Sequence, residues 1–237
     1  MLSTAIILAG GYGTRLQSVV SDLPKPMAPV NGQPFLDYQL QYLKNYGFKN
    51  VVLSVGYLSE KISAHYGASF NGITLFYARE KVPLGTGGGI RLALEQCADE
   101  NIFVLNGDSF FDVDLNNFFM KHNEKAAQFS LALRKVNDAS RYGAIEKNHE
   151  DRVISFREKN GTAAPGTING GVYILSKNIF IEATNQHTNF SIEKDFFEKH
   201  LNDLAIYGFE FDGYFLDIGI PEDYNKAQND FKGFKYR

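Results

Sequence analysis

The chain has 237 residues, 44% of them hydrophobic and 22% charged, with a formal net charge of −3. This is ordinary for a globular domain and leaves ample apolar material for a core, while the acidic balance excludes non-specific nucleic-acid binding, which needs a basic surface. One cysteine, Cys97, rules out an internal disulfide and any multi-cysteine metal site.

In chain order, Ala5–Leu8 is a first strand, and it feeds the turn Leu8-Ala9-Gly10-Gly11-Tyr12-Gly13-Thr14-Arg15-Leu16. Gly10, Gly11 and Gly13 let the backbone come close to a ligand, because no Cβ stands in the way. The N–H groups of such a turn form a concavity for anions. Arg15, and Lys25 in Pro24-Lys25-Pro26-Met27, add the positive charge that phosphates require. The spacing is neither the dinucleotide pattern G-x-G-x-x-G nor the P-loop.

Phe35–Tyr46 is a predicted helix, with Phe35, Leu36, Leu40 and Leu43 at helical spacing and Gly47 as its stop. Val51–Val55 and Thr74–Ala78 are strands around a short helix, Ser59–Tyr66. The glycine-rich segment Arg79–Gly89 leads into a helix over Ile90–Cys97, in which Cys97 is a small packed side chain. Ile102–Leu105 is a buried strand ending at Asn106-Gly107-Asp108. After about residue 125 short strand-like runs follow, Phe129–Arg134, Ala144–Glu146, Val153–Glu158 and Gly171–Leu175, with a loop at Asn160–Thr167 and a last helix around Glu222–Phe231. Strands alternating with amphipathic stretches predict a mostly parallel sheet covered by helices. No stretch approaches the roughly eighteen apolar residues of a membrane span, and no signal-peptide pattern opens the chain. The expectation is a cytoplasmic protein without membrane or nucleic-acid partners, its oligomeric state open, a homo-oligomer included.

Ligands of such sheets bind beyond the carboxyl ends of the strands. Asp108 sits at such an end, and Asp217, in Tyr214-Phe215-Leu216-Asp217-Ile218-Gly219, follows an apolar strand in the same manner. Carboxylates there suit Mg²⁺, which takes one or two of them together with phosphates. The five histidines, His65, His122, His149, His187 and His200, stand in polar contexts without metal-ligand spacing and are expected to be exposed or structural.

Gly-Gly-x-Gly-Thr-Arg-Leu followed by Pro-Lys-Pro resembles the signature of the sugar-1-phosphate nucleotidylyltransferases, and the likeness runs from residue 5 to about 225. The resemblance implies a Rossmann-like α/β fold, a mixed and mostly parallel sheet flanked by helices (the nucleotide-diphospho-sugar transferase fold). It also implies one domain over 1–237, with a nucleotide-binding part to about 125 and then a sheet extension for the sugar phosphate. Its substrates are an NTP and a sugar 1-phosphate, and its cofactor Mg²⁺, shared by Asp108 and Asp217. Catalysis falls to Arg15 on the departing phosphates, Lys25 between the α-phosphate and the entering phosphate, Asp108 and Lys159. Leu8, Ala9, Gly10, Gly11, Gly13, Thr14, Arg15, Glu80, Pro83, Gly85 and Thr86 form the nucleotide site. Lys25, Gly143, Glu158, Lys159 and Asn169 form the sugar-phosphate site, with Asn160 where a proline commonly follows Glu-Lys.

Glu80 could accept hydrogen bonds from the N1–H and 2-amino group of guanine, but related uridylyl enzymes share a Glu here, so the base stays open. Pro-Leu-Gly-Thr-Gly-Gly, Asn-Gly-Asp-Ser-Phe-Phe-Asp-Val-Asp-Leu and Asp-Ile-Gly-Ile-Pro-Glu-Asp-Tyr look most like the short bacterial D-glycero-α-D-manno-heptose 1-phosphate guanylyltransferases. Mannose 1-phosphate guanylyltransferases come next, then uridylyl and thymidylyl relatives. Two rivals of other classes remain: a non-catalytic nucleotide or sugar-phosphate sensor, and a glycosyltransferase built on Asp112-Val113-Asp114.

Overall fold

The structure is a computed structural model that describes residues 3–11, 16, 19–20, 22–157 and 163–236, with 157 described by its main chain alone. The first half contains strands β1 (Thr4–Ala9), β2 (Pro29–Val30), β3 (Gln33–Pro34), β4 (Asn50–Val55), β5 (Ser69–Phe70), β6 (Ile73–Arg79), β7 (Asn101–Asn106) and β8 (Ser109–Phe111). Helices α1 (Phe35–Asn45), α2 (Ser59–Tyr66), α3 (Gly85–Leu94) and α4 (Leu115–Glu124) lie among and after them. The second half adds β9 (Phe129–Val136), β10 (Ala144–Lys147), β11 (Val153–Arg157), β12 (Gly166–Ser176), β13 (Ile206–Glu210) and β14 (Phe215–Asp217), with α5 (Lys177–Ala183), α6 (Glu198–His200) and α7 (Pro221–Asp230).

Eight strands form one sheet in the order β13-β9-β12-β7-β1-β4-β6-β5. Strands β7, β1, β4 and β6 run parallel, while β12 runs antiparallel to both β7 and β9. The two halves are therefore stitched through the β7–β12 ladder into a single sheet. Its central strands are apolar along most of their length because both faces are covered. On β1, Ile6 packs with Val52 and Val104 in one core, and Ile7 packs with Leu53 and Leu105 in the core on the other face. The parallel register places these side chains level with one another.

Helix α1 buries Phe35, Leu36, Leu40 and Leu43 as its spacing predicts, and Tyr38, Gln39 and Tyr42 besides. Helix α3 departs from expectation, since it begins at Gly85 instead of Ile90 and takes in the four glycines Gly85, Gly87, Gly88 and Gly89. A Cβ on Gly87 would collide with the ring of Phe190, and one on Gly88 with the carbonyl of Thr188. Glycine costs about 1 kcal/mol per residue in a helix, and the close approach of the 188–190 segment offsets it. The expected loop ending at Thr167 also shortens, because Gly166 already pairs with Val136 at the start of β12.

Candidate active site

The carboxyl ends of β1, β4, β6 and β7 surround a cleft of about 470 Å³. Leu8, Gly10, Gly11, Glu80, Pro83, Gly85 and Thr86 line it, together with Lys25 and Asp108. Ala9 is not among the lining residues, and its side chain is buried in the core on one face of the sheet. Ser54, Gly56, Tyr57 and Asn106 also line the cleft; the first three carry no motif that could have marked them, whereas Asn106 opens the Asn-Gly-Asp segment that holds Asp108. Gly13, Thr14 and Arg15 lie outside the described residues.

Glu80 is held in this cleft by its neighbours. Its Oε2 accepts the backbone N–H of Leu84 at 3.0 Å and its Oε1 lies 3.5 Å from the Ser54 hydroxyl. Gly10 leaves it room, since a Cβ there would stand 2.8 Å from Glu80 Oε1. The carboxylate is thereby aimed by the Leu84 main chain and the Ser54 hydroxyl.

A second cleft, of about 310 Å³, opens on the side of β12 and the β10–β11 hairpin. Gly143 and Asn169 line it as expected, joined by Arg141, Glu193, Lys194 and Asp217. Glu158 and Lys159 lie outside the described residues. Asn106 lines both clefts, so they meet at the end of β7.

At that junction Lys25 Nζ lies 2.6 Å from Asp108 Oδ2 and 4.0 Å from Asp217 Oδ1, its side chain only 10% exposed. The short helical turn Lys25–Met27 presents the ammonium, and buried Pro26 seats the turn against Gly107. Gly107 carries no Cβ because the Leu8 carbonyl, which accepts its N–H at 2.9 Å, occupies that space. Buried Gln39 braces the same turn from below, donating to the carbonyls of Asn106 and Ser109 at 2.7 and 2.8 Å. Asp217 is fixed by the N–H of Gly219 at 2.6 Å, and Ile218 N–H reaches the Asp108 carbonyl at 2.9 Å. Two distant segments thus bring two carboxylates around one cation. Among the described residues no group of three or more His, Cys, Asp or Glu could hold a metal. The donor set fits a Mg²⁺ that takes two carboxylates from the protein and its other oxygens from phosphate and water.

The structure removes Asp112-Val113-Asp114 from contention as a metal element. Asp112 accepts the Tyr236 hydroxyl at 2.8 Å and pairs with Lys235, also at 2.8 Å. Asp114 caps α4, accepting the N–H groups of Asn116 and Asn117. His122 takes the structural role among the histidines: it is buried and hydrogen-bonded to Ser130 Oγ at 2.8 Å, and burial lowers its pKa to about 4. Cys97 lies just past the end of α3 and is buried as expected. Among the described residues no helix is long and apolar enough to cross a membrane.

The nucleotidyl transferase family model matches residues 4–233. A D-glycero-alpha-D-manno-heptose 1-phosphate guanylyltransferase of Aneurinibacillus thermoaerophilus is 46% identical over 97% of this chain and 99% of its own length. Its namesake in Campylobacter jejuni is 47% identical over 93% and 96%. The crystal structure of HddC from Yersinia pseudotuberculosis superposes with a TM-score of 0.87 at 37% identity, covering 98% of this chain and 100% of the other. The same protein complexed with GMP-PN gives 0.84 over the same coverage. With paired clefts at the strand ends and likeness along almost its whole length, the chain belongs to the nucleotidyl transferase family.

Proposed function

We propose that this protein transfers the guanylyl group of GTP to D-glycero-α-D-manno-heptose 1-phosphate, releasing pyrophosphate and supplying an activated heptose for surface glycans. The observation that carries the reading is the meeting of two clefts at Lys25, Asp108 and Asp217. The names of the two relatives and the GMP-PN complex of the structural neighbour support the choice of base and sugar. The residues around the first cleft come from the nucleotide-binding part and most of those around the second from the sugar-phosphate part.

A phosphate oxygen of the sugar 1-phosphate forms a bond to the α-phosphorus of GTP, and the bond to the bridging oxygen breaks with pyrophosphate taking the electron pair. The attacking monoester has a second pKa of about 6 and is already mostly dianionic at neutral pH, so no general base is needed. The protein's task is to hold two polyanions in line and neutralise their repulsion. Lys25, at the junction, serves both phosphates. Asp108 and Asp217 would hold Mg²⁺, which when bound stabilises negative charge on the phosphates. In this reading Arg15 supplies charge to the departing pyrophosphate, and Glu158 and Lys159 grip the sugar phosphate. Glu80 Oε1 faces the N1–H and 2-amino edge of guanine, where a uracil would set an acceptor against an acceptor.

The test is pyrophosphate release with Mg²⁺, crossing GTP, UTP, dTTP, CTP and ATP with heptose, mannose and glucose 1-phosphates. Signal confined to GTP with the heptose phosphate is expected. Signal with another pair would replace the substrates, and silence from folded, nucleotide-binding protein would replace the enzyme with a sensor.

A further inference from the structure

The glycine-rich rim of the nucleotide cleft and the wall of the sugar cleft are one hydrogen-bonded body. Gly87 N–H donates to the Phe190 carbonyl at 2.9 Å, Phe190 N–H to the Leu84 carbonyl at 3.0 Å, and Asn189 Nδ2 to the Pro83 carbonyl at 2.9 Å. From the 188–190 segment the chain enters a π-helical turn, Ile192–Phe197, which carries Glu193. Such turns are rare and gather at functional sites.

Glu193 lines the sugar cleft and uses both oxygens. Oε2 accepts the Ser191 hydroxyl at 2.9 Å and the Thr86 hydroxyl at 3.3 Å, and Thr86 lines the nucleotide cleft. Thr86 Oγ1 in turn accepts the N–H of Ile192 at 2.9 Å, so its own proton is directed to Glu193. Oε1 accepts the hydroxyl of fully buried Tyr173 at 3.2 Å. The Tyr173 oxygen then accepts Asn169 Nδ2 at 2.7 Å. Burial, reinforced by the Glu193 carboxylate, pushes the Tyr173 phenol well up, which keeps it a neutral donor. The run Thr86–Glu193–Tyr173–Asn169 therefore reaches from one cleft to the other. Tyr173 is the buried centre of this run, with Glu193 and Asn169 half-buried on either side of it and Thr86 exposed, and a buried polar group left unpaired is costly.

We infer that Glu193 is a positioning residue that couples the two clefts, so that nucleotide bound against Thr86 raises the affinity for the sugar phosphate held near Asn169. The coupling rests on the substrates proposed above and is reciprocal by thermodynamic necessity. It makes turnover begin only when both partners are seated.

The experiment is calorimetric titration of the heptose 1-phosphate into the protein with and without saturating GTP analogue carrying an α,β-methylene bridge, which cannot react. The wild-type protein is expected to bind the sugar phosphate about 5-fold or more tightly with the analogue present. In Glu193→Gln, where an amide replaces one acceptor oxygen, the ratio should fall below about 2-fold, with a larger loss in kcat than in either single-ligand affinity. Thr86→Val, on the exposed rim, should lose the ratio in the same way and covers the case in which Glu193→Gln fails to fold. A wild-type ratio of one, or an equal ratio in wild type and a folded variant, overturns the inference and leaves the proposed function standing. Failure of the wild type to bind either ligand overturns both.

Discussion

At the residue scale, the proposed reaction turns on Lys25 and its two carboxylates. Lys25→Met should lower kcat by about 10²- to 10⁴-fold with little change in KM, read by pyrophosphate release; a loss confined to KM would contradict a role in the transition state. Asp108→Asn and Asp217→Asn should each abolish stimulation by Mg²⁺ while the melting temperature holds, and a chelator should silence the wild type. His122 makes a different prediction. Its folded pKa of about 4 lies below the ordinary value of 6.5, so the unfolded chain binds the extra proton between those values. Stability is fully present above about pH 6.5 and is lost as the pH falls toward 4, by about 1.4 kcal/mol per unit from this group. Denaturant titrations at several pH values should show a shallower fall in His122→Gln. The carboxylates and Lys25 were legible because glycine and proline flank them. His122 and Gln39 were not, since nothing in their local sequence says that a strand carrying Ser130, or a turn carrying Asp108, will pack over them.

At the scale of elements, the long periodic segments behaved as their patterns require: β1, α1, β4 and β7 lie within a residue or two of their predicted bounds. Helix α3 did not. Gly85–Gly89 reads locally as loop, and the helix there depends on a segment about a hundred residues later that needs glycine beneath it. Gly87→Ala should therefore destabilise the protein and weaken nucleotide binding through the displaced rim. Combined with Phe190→Leu, which clears the ring, it should cost less than the sum of the two single changes by at least about 1 kcal/mol in denaturant titration. Strict additivity would mean that the helix tolerates a Cβ and that its glycines serve some other purpose. The short strand β8 escaped prediction for a related reason, whereas its partner β14 was expected as the apolar strand at Asp217. Each is three residues long and exists by pairing with the other, Ser109 opposite Asp217, and this pairing delivers the two carboxylates to one place.

At the scale of the molecule, residues near the C-terminal end close a core begun by α1. Buried Phe231 packs edge-on against Tyr38 at 4.7 Å and also meets Phe35 and Phe110, both at 5.9 Å. Phe231→Ala should cost about 3–5 kcal/mol, a fall of roughly 6–20 °C in Tm for a domain of this size; a shift under about 2 °C would show the cluster to be dispensable. The sequence by itself determined the covered, mostly parallel sheet and the glycine-rich strand end, because apolar periodicity and glycine punctuation are local and act wherever the chain goes, while its motifs carried the resemblance to the family. Only the tertiary structure decided that Ala9 faces the core, that Asp112 pairs with Tyr236 and Lys235, and that Glu193 joins the two clefts. Those outcomes depend on which distant groups share a low-dielectric interior, where each polar atom must find a partner that its own stretch of chain does not supply.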